Sequence, residues 1–237
     1  MEDDELLAEQ VAFYRARAPR YDEWWQRQGA YARGPDFDQE FDRQVRHVED
    51  ALRRFAAAGD VLELAGGTGW WTERLARSAH RLAVVDSSPE ALELNRARTG
   101  RPHVEYEVGD IFDWTPATLY DAVFFSFWLS HVPRRRLAGF WSMVRSCLRP
   151  GGRVFLVDNH HDPALGAGIG DPYVRRYETD RHVRRLDDGR EYAVVKVMYE
   201  PEELSAQLAD LGWKAGLQAT PLFLYGWARP SEGGTQG

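Results

Sequence analysis

The residues with the clearest chemical potential are Glu63, Gly66, Gly67 and Gly69 in the segment Val61-Leu-Glu-Leu-Ala-Gly-Gly-Thr-Gly69, and Asp86 at the end of Val84-Val85-Asp86. An apolar run closes in a glycine-rich turn, a helix-like segment follows, and a second apolar run ends in an acid. That order describes a β-α-β unit whose first turn lets a ligand approach the backbone, with a carboxylate placed to take a ribose diol. Glycine suits the turn because a Cβ would block the ligand or forbid the backbone angles. A simple strand-end carboxylate is the plainer reading of Asp86 and fits the surrounding pattern less well.

Spacing separates two ligand classes. A dinucleotide fingerprint needs G-x-G-x-x-G, so that pyrophosphate sits on the helix start. From Gly67 the chain reads Gly-Thr-Gly-Trp-Trp-Thr, and Thr72 stands where the last glycine is required. This disfavours a nicotinamide oxidoreductase. Further segments follow in order: Gly109-Asp110-Ile111-Phe112 after the run 104–108, then Tyr120-Asp121-Ala-Val-Phe-Phe-Ser-Phe-Trp-Leu-Ser-His-Val-Pro133, then Leu148-Arg-Pro-Gly-Gly-Arg-Val-Phe-Leu-Val-Asp158. Together they resemble the motifs of class I S-adenosylmethionine-dependent methyltransferases, closely over residues 45–160 and more loosely beyond. Ala65 stands where many members carry another glycine.

The resemblance implies S-adenosyl-L-methionine as cofactor. Ala65, Gly66, Gly67 and Gly69 would approach its methionine part, Asp86 with Ser87 would hold the ribose, and Ser126 would border the methionine moiety. Asp110 would accept from the adenine amine while Ile111 covers the ring. A turn-forming role for Asp110 is the alternative. Tyr14, Tyr21 and Arg33 would reach the cofactor carboxylate or close the pocket.

The resemblance also implies an α/β fold: a Rossmann-like, doubly wound seven-stranded sheet with a closing antiparallel strand pair, an N-terminal helical cap and an inserted hairpin. The sequence places strands near 60–65, 81–86, 103–108, 121–126 and 152–158. Helices are expected at 6–17 and 37–58, with a break at Pro19 and an aromatic turn between them. Asp188-Gly189 supplies the turn of a hairpin over 182–195, Pro201 opens a last helix, and 213–219 and 222–228 form the closing pair. The expected organisation is a cap over 1–58, a cofactor-binding core over 59–232 with a substrate or lid hairpin around 173–199, and a disordered tail over 233–237. The hairpin could serve as a lid or a dimer arm, and monomer and homodimer both remain open.

Composition excludes several classes. At 237 residues the chain can bury one sizeable core. A net charge of -7 argues against a nucleic-acid backbone as partner, and no Asn/Asp-Pro-Pro-aromatic motif follows the fourth strand. The single cysteine, Cys147, excludes an internal disulfide framework and reads as an inert core thiol. No apolar run approaches membrane-spanning length, and the acidic start is no secretory signal, so a cytoplasmic protein without a membrane partner is expected. The pair His160-His161 with Asp162 lacks a third spaced ligand, so no metal is expected.

Methyl transfer from a sulfonium demands alignment and, for some nucleophiles, a base. His131, just after the fourth strand, is the candidate base; a structural hydrogen bond near Pro133 is the alternative. Trp24 and Trp25 in the cap, Phe127 after the fourth strand, and Asp158 and Asn159 at the end of the fifth are the expected substrate contacts. Ordinary packing is the competing role for Tyr14, Trp24 and Trp25. Aromatic walls suit a flat, apolar or cationic ligand. The aromatic cap and the Phe-Trp-Leu-Ser-His-Val-Pro segment resemble bacterial natural-product methyltransferases of secondary metabolism, some of which methylate indole C3 in tryptophan-containing cyclic dipeptides. A phenol or amine O- or N-methyltransferase, and a cofactor-binding cyclase that transfers no methyl, are the rival readings.

Overall fold

The computed structural model describes residues 2–160, 173–178 and 180–231. Its centre is a seven-stranded sheet of order β3-β2-β1-β4-β5-β10-β9. The strands are β1 (Gly59–Leu64), β2 (Ala79–Asp86), β3 (Val104–Val108), β4 (Tyr120–Ser126), β5 (Leu148–Asn159), β9 (Trp213–Ala219) and β10 (Phe223–Pro230). β1 to β5 pair in parallel, while β10 runs antiparallel between β5 and β9. This is the Rossmann-like sheet with a closing antiparallel pair that the family resemblance implies.

The central strands explain their own position. β1, β4 and β5 carry nearly unbroken apolar runs, as strands covered on both faces must. Alternate residues then serve opposite faces. Leu62, Leu64, Val123, Phe125, Val154 and Leu156 join one core cluster, whereas Val61, Ala122, Phe124, Phe155 and Val157 join the other.

The helices follow local signals. α2 (Pro35–Phe55) opens with Pro35, Asp36 and Asp38 and ends with Arg53 and Arg54, matching the helix dipole at both ends. Its Phe41, Val45, Val48, Leu52 and Phe55 are buried on one face. α4 (Pro89–Thr99) is capped by Ser88, whose hydroxyl accepts from the Ala91 amide at 3.1 Å, and is stopped by left-handed Gly100. α3 (Trp70–Leu75), α5 (Leu137–Ser146) and α6 (Pro201–Asp210) complete the flanks. Among the described residues no helix is long and apolar enough to cross a membrane.

The N-terminal segment is α1 (Glu2–Arg17), short 3-10 turns at Ala18–Glu23 and Gly29–Tyr31, and then α2. Leu7 of α1 belongs to the first core cluster, and Trp25, Phe41 and Val45 belong to the second. The cap thus shares its cores with the sheet. The hairpin expected over 182–195 is present as β7 (Arg181–Arg185) and β8 (Glu191–Val195), but a further strand, β6 (Val174–Glu178), pairs with β7 to make a three-stranded antiparallel sheet. Its sequence Val-Arg-Arg-Tyr-Glu has little of the alternation that marks a strand. β5 also begins earlier than 152, because Leu148 pairs with Tyr120 before a register shift carries Arg153 to Ala122. His161, Asp162 and the expected tail over 233–237 lie outside the described residues.

The β9–β10 crossing is tight. A Cβ on Gly226 would lie 2.2 Å from the Gly216 carbonyl oxygen and 2.9 Å from Leu217 Cα, both backbone atoms that have little room to yield. Gly226→Ala should therefore lower stability by roughly 1–3 kcal/mol in urea unfolding. An unchanged midpoint would mean that the two strands separate at no cost.

Candidate active site

The cofactor cleft forms where β1, β2 and β4 end, at the carboxyl edge that open α/β sheets use for ligands. Ala65, Gly67, Thr68, Asp86, Ser87, Asp110, Ile111 and Ser126 line it. Ala65 and Gly67 adopt left-handed backbone angles, φ 53° and 52°, and a Cβ on Gly67 would have nothing within 4 Å, so the turn is open on that side. Asp86 is fixed at both oxygens: Oδ2 accepts from the Gly67 amide at 2.9 Å and Oδ1 from the Ser88 amide at 2.8 Å. Burial pushes its pKa up, and the amides of Ser88, Gly67 and Ser87 oppose that push. A carboxylate has about four acceptor positions, so these amides leave acceptor capacity for a ribose hydroxyl. The side chain of Ile111 is buried beside Asp110, which is exposed and accepts from the Phe112 amide at 3.0 Å. This set fits S-adenosylmethionine: an acid for the ribose, an open turn for the methionine part, and an apolar surface beside an acceptor for adenine.

Gly66 and Gly69 are placed differently from the other loop residues. A Cβ on Gly66 would meet Val84 at 2.3 Å, and one on Gly69 would meet Asn95 at 2.7 Å. They let the loop pack on β2 and α4 instead of lining the cleft. Glu63 lies beneath the loop, 1% exposed, accepting from the Thr72 hydroxyl at 2.6 Å. Burial pushes its pKa up to about 8, and the nearby Asp86 adds to the shift. At neutral pH it is mainly a neutral acid.

A second cavity of about 450 Å3 adjoins the cleft. Tyr14, Tyr21, Phe127 and His131 line both spaces. Tyr14 is carried by α1. Tyr21 sits in the following turn, which is anchored because Asp22 accepts from the Thr68 hydroxyl at 2.6 Å and pairs with Arg98. Phe127 holds φ 51°, an uncommon angle for a bulky residue, with its amide donating to the Val157 carbonyl at 2.8 Å.

His131 is buried and both ring nitrogens are engaged. Nδ1 is 2.6 Å from the Val195 carbonyl oxygen, and Nε2 is 2.7 Å from the Tyr14 hydroxyl. A carbonyl can only accept, so Nδ1 carries the proton and Nε2 accepts from Tyr14. Burial first, then Lys196 and Arg184, hold the imidazole pKa well below 6.5. The ring is therefore neutral, and Tyr14 stands on its acceptor nitrogen.

The remaining expected site residues divide clearly. Trp24 and Asn159 line the second cavity, as does Arg33, which had been expected to reach the cofactor. Trp25 lines neither space; it stacks on Trp70 with ring centroids 4.6 Å apart and planes 5° apart. Asp158 is 1% exposed and also lines neither space, accepting from the Ser130 amide at 2.8 Å. Sequence reasoning missed Arg17, Arg184 and Lys196 in the second cavity, and Gln10, Thr68 and Trp128 in the cleft. Thr68 sits inside the quoted glycine loop, so the signal for it was present. Among the described residues no group of three or more His, Cys, Asp or Glu is arranged to hold a metal. Burial raises the Cys147 thiol to about 12, and it stays a core group.

Comparison with known proteins agrees with this geometry. Residues 61–152 match the methyltransferase domain family. The solved DhpI–SAH complex is 37% identical, covers 97% of this chain and 98% of its own, and superposes with a TM-score of 0.79. The DhpI–SAM–HEP complex is 38% identical over 95% and 98% of the two chains, with a TM-score of 0.78. The ubiquinone biosynthesis O-methyltransferase of Xanthomonas axonopodis pv. citri (strain 306) is 28% identical over 198 residues, 80% of this chain and 74% of its own. Nodulation protein S of Rhizobium tropici is 30% identical over 120 residues, so this chain spans about half of that relative, 49%. The chain belongs to the class I S-adenosylmethionine-dependent methyltransferases, and S-adenosyl-L-methionine is its cofactor.

Two outcomes follow. Asp86→Ala should weaken binding of S-adenosylhomocysteine by about 1.5–3 kcal/mol in calorimetry, the cost of charge-assisted hydrogen bonds; an unchanged affinity would make Asp86 a loop brace only. Glu63 has a folded pKa of about 8 against an ordinary 4.5, so its contribution is full below 4.5 and lost as pH rises through about 8. The melting temperature of Glu63→Gln should accordingly decline less than that of the wild type between pH values on either side of that interval.

Proposed function

We propose that this enzyme transfers the methyl group of S-adenosylmethionine to a small, flat, unsaturated metabolite held in the second cavity. The observation that carries the reading is the wall of Tyr14, Tyr21, Phe127 and His131 common to both spaces. A methyl donor on one side of that wall and an acceptor on the other can meet without either leaving its site. The cofactor supplies an electrophilic methyl on sulfur, and displacement needs the acceptor in line with it. Trp24, edge-on to Phe127 at 5.0 Å, and Phe41 provide ring faces and edges that orient a planar acceptor.

The side chains also manage the proton. Tyr14 donates to His131 and accepts from Arg184 at 3.0 Å. An acceptor O–H or N–H brought against the Tyr14 oxygen would donate to it. As the new bond to methyl forms, that proton can pass to Tyr14 while the phenolic proton moves to His131 Nε2. His131 thus acts through Tyr14. A carbon acceptor is served equally: in indole C3-methylation of a tryptophan-containing cyclic dipeptide, the proton released after attack takes the same route. Phenol or amine methylation is the other form of the same reading. The relatives of this chain include O-methyltransferases of ubiquinone biosynthesis.

The test is a mass-spectrometric transfer assay with tryptophan cyclic dipeptides, free indoles, phenols and aromatic amines. A product gaining one methyl is expected, and its fragmentation identifies the acceptor atom. No product from any of them, with cofactor binding intact, would transfer the argument to a cyclase that uses the cofactor without consuming it. Tyr14→Phe and His131→Ala should both lower kcat by roughly 100-fold with unchanged cofactor affinity. Full turnover in Tyr14→Phe would remove the relay.

A further inference from the structure

In a chain of net charge -7, positive charge is gathered on one cavity. Arg17, Arg184 and Lys196 line it, with Arg27 and Arg33 as further cationic members, and among the described lining residues there is no Asp or Glu. Arg17 and Arg184 are 6% and 4% exposed, so these are interior charges and not solvated surface arginines. They also border the transfer wall directly. The Arg184 guanidinium donates to the Tyr14 hydroxyl at 3.0 Å. The Arg17 guanidinium donates to the Tyr31 hydroxyl at 2.5 Å and lies 5.1 Å from the centroid of the Tyr21 ring.

We propose that the substrate carries an oxyanion, a carboxylate or a phosphoryl group, bound by Arg17 and Arg184 with Lys196 adding positive charge. This rests on the methyltransferase reading above and narrows it, because it favours acidic acceptors over neutral cyclic dipeptides. Planar guanidinium forks suit two-oxygen anions, and they act most strongly where water is excluded. The three cations also come from different parts of the chain: Arg17 ends α1, Arg184 lies in β7, and Lys196 follows β8. An anion among them would tie the N-terminal helix to the three-stranded sheet. Lys196 lies 3.8 Å from Asp158 and Arg27 3.5 Å from Asp38, but both acids stand outside the lining, and a cavity lined by one sign of charge concentrates ligands of the other. Burial is the main cause of the depressed pKa of His131, and Lys196, Arg184 and His182 add to it from this side.

The test uses the full chain saturated with S-adenosylhomocysteine, titrated calorimetrically with phenylacetate, benzylphosphonate and neutral phenylacetamide. At least one acid should bind about tenfold or more tighter than the amide, as charge-assisted hydrogen bonds require, and added salt should erode the difference. Whichever acid binds tighter identifies the carboxylate or the phosphoryl group as the preferred anion. Arg184→Met and Arg17→Met should remove most of that preference, whereas Arg77→Met, in the exposed turn after α3, should leave it intact. Arg17→Lys should retain part of it, which separates loss of charge from loss of packing. Retained affinity for S-adenosylhomocysteine certifies the fold of each variant. Equal or undetectable binding of acids and amide would overturn the proposal, as would a preference that survives both Met variants. If the cofactor product binds and neutral aromatics are methylated without any anion preference, the methyltransferase reading stands and this inference falls. If the cofactor product does not bind the wild type, both fall together.

Discussion

The grip on the backbone of Val195 holds the active site together. Its N–H donates to Gln10 Oε1 at 3.1 Å, and its carbonyl accepts from His131 Nδ1 at 2.6 Å. The Gln10 amide reaches onward to the His131 carbonyl at 3.3 Å. α1, β8 and the turn after β4 are thereby joined through one buried amide and one imidazole. β8 is an outer strand of its small sheet, and an outer strand must satisfy its open backbone groups somewhere. Here that requirement fixes the imidazole tautomer, and the tautomer fixes the direction of the Tyr14 hydroxyl. A backbone hydrogen-bonding need has become a chemical orientation.

The cofactor side is organised by a different constraint, the placement of two acids around one glycine loop. Asp86 is supplied with amides from both flanks of the loop and keeps acceptor capacity for a ligand. Glu63, only a short way below, is offered a single hydroxyl and so favours its neutral form. The same carboxyl chemistry is left with open acceptor capacity in one position and becomes a neutral bracket in the other. The difference lies in the number of donors, since both groups are penalised by burial.

Local pattern was enough to place the five parallel strands, most plainly β1, β4 and β5 with their apolar runs, whereas the seven-stranded order and the closing pair were legible only through the family resemblance. The cleft residues Ala65, Gly67, Asp86 and Ile111 were legible through the resemblance, whose motifs fall at the strand ends that line the cleft. β6 was not legible: its charged sequence becomes a strand only because β7 offers it partners. The basic cavity was not legible either. Tyr14 and Arg184, in contact, are 170 residues apart, and no short window shows that Arg17 faces inward while Arg15 pairs with Glu90 at the surface. Trp25 illustrates the reverse difficulty. An aromatic in a cap reads equally well as a pocket wall or as packing, and stacking on Trp70 makes it the latter.

The roof shared by the two spaces has a consequence for the order of events. Tyr14 and Tyr21 belong to one continuous segment, α1 and the turn after it, and that segment covers donor and acceptor alike. Lifting it to admit or release one ligand uncovers the other. Release of a methylated product and exchange of the spent cofactor would then draw on the same movement of one segment, and the two events would be coupled through α1.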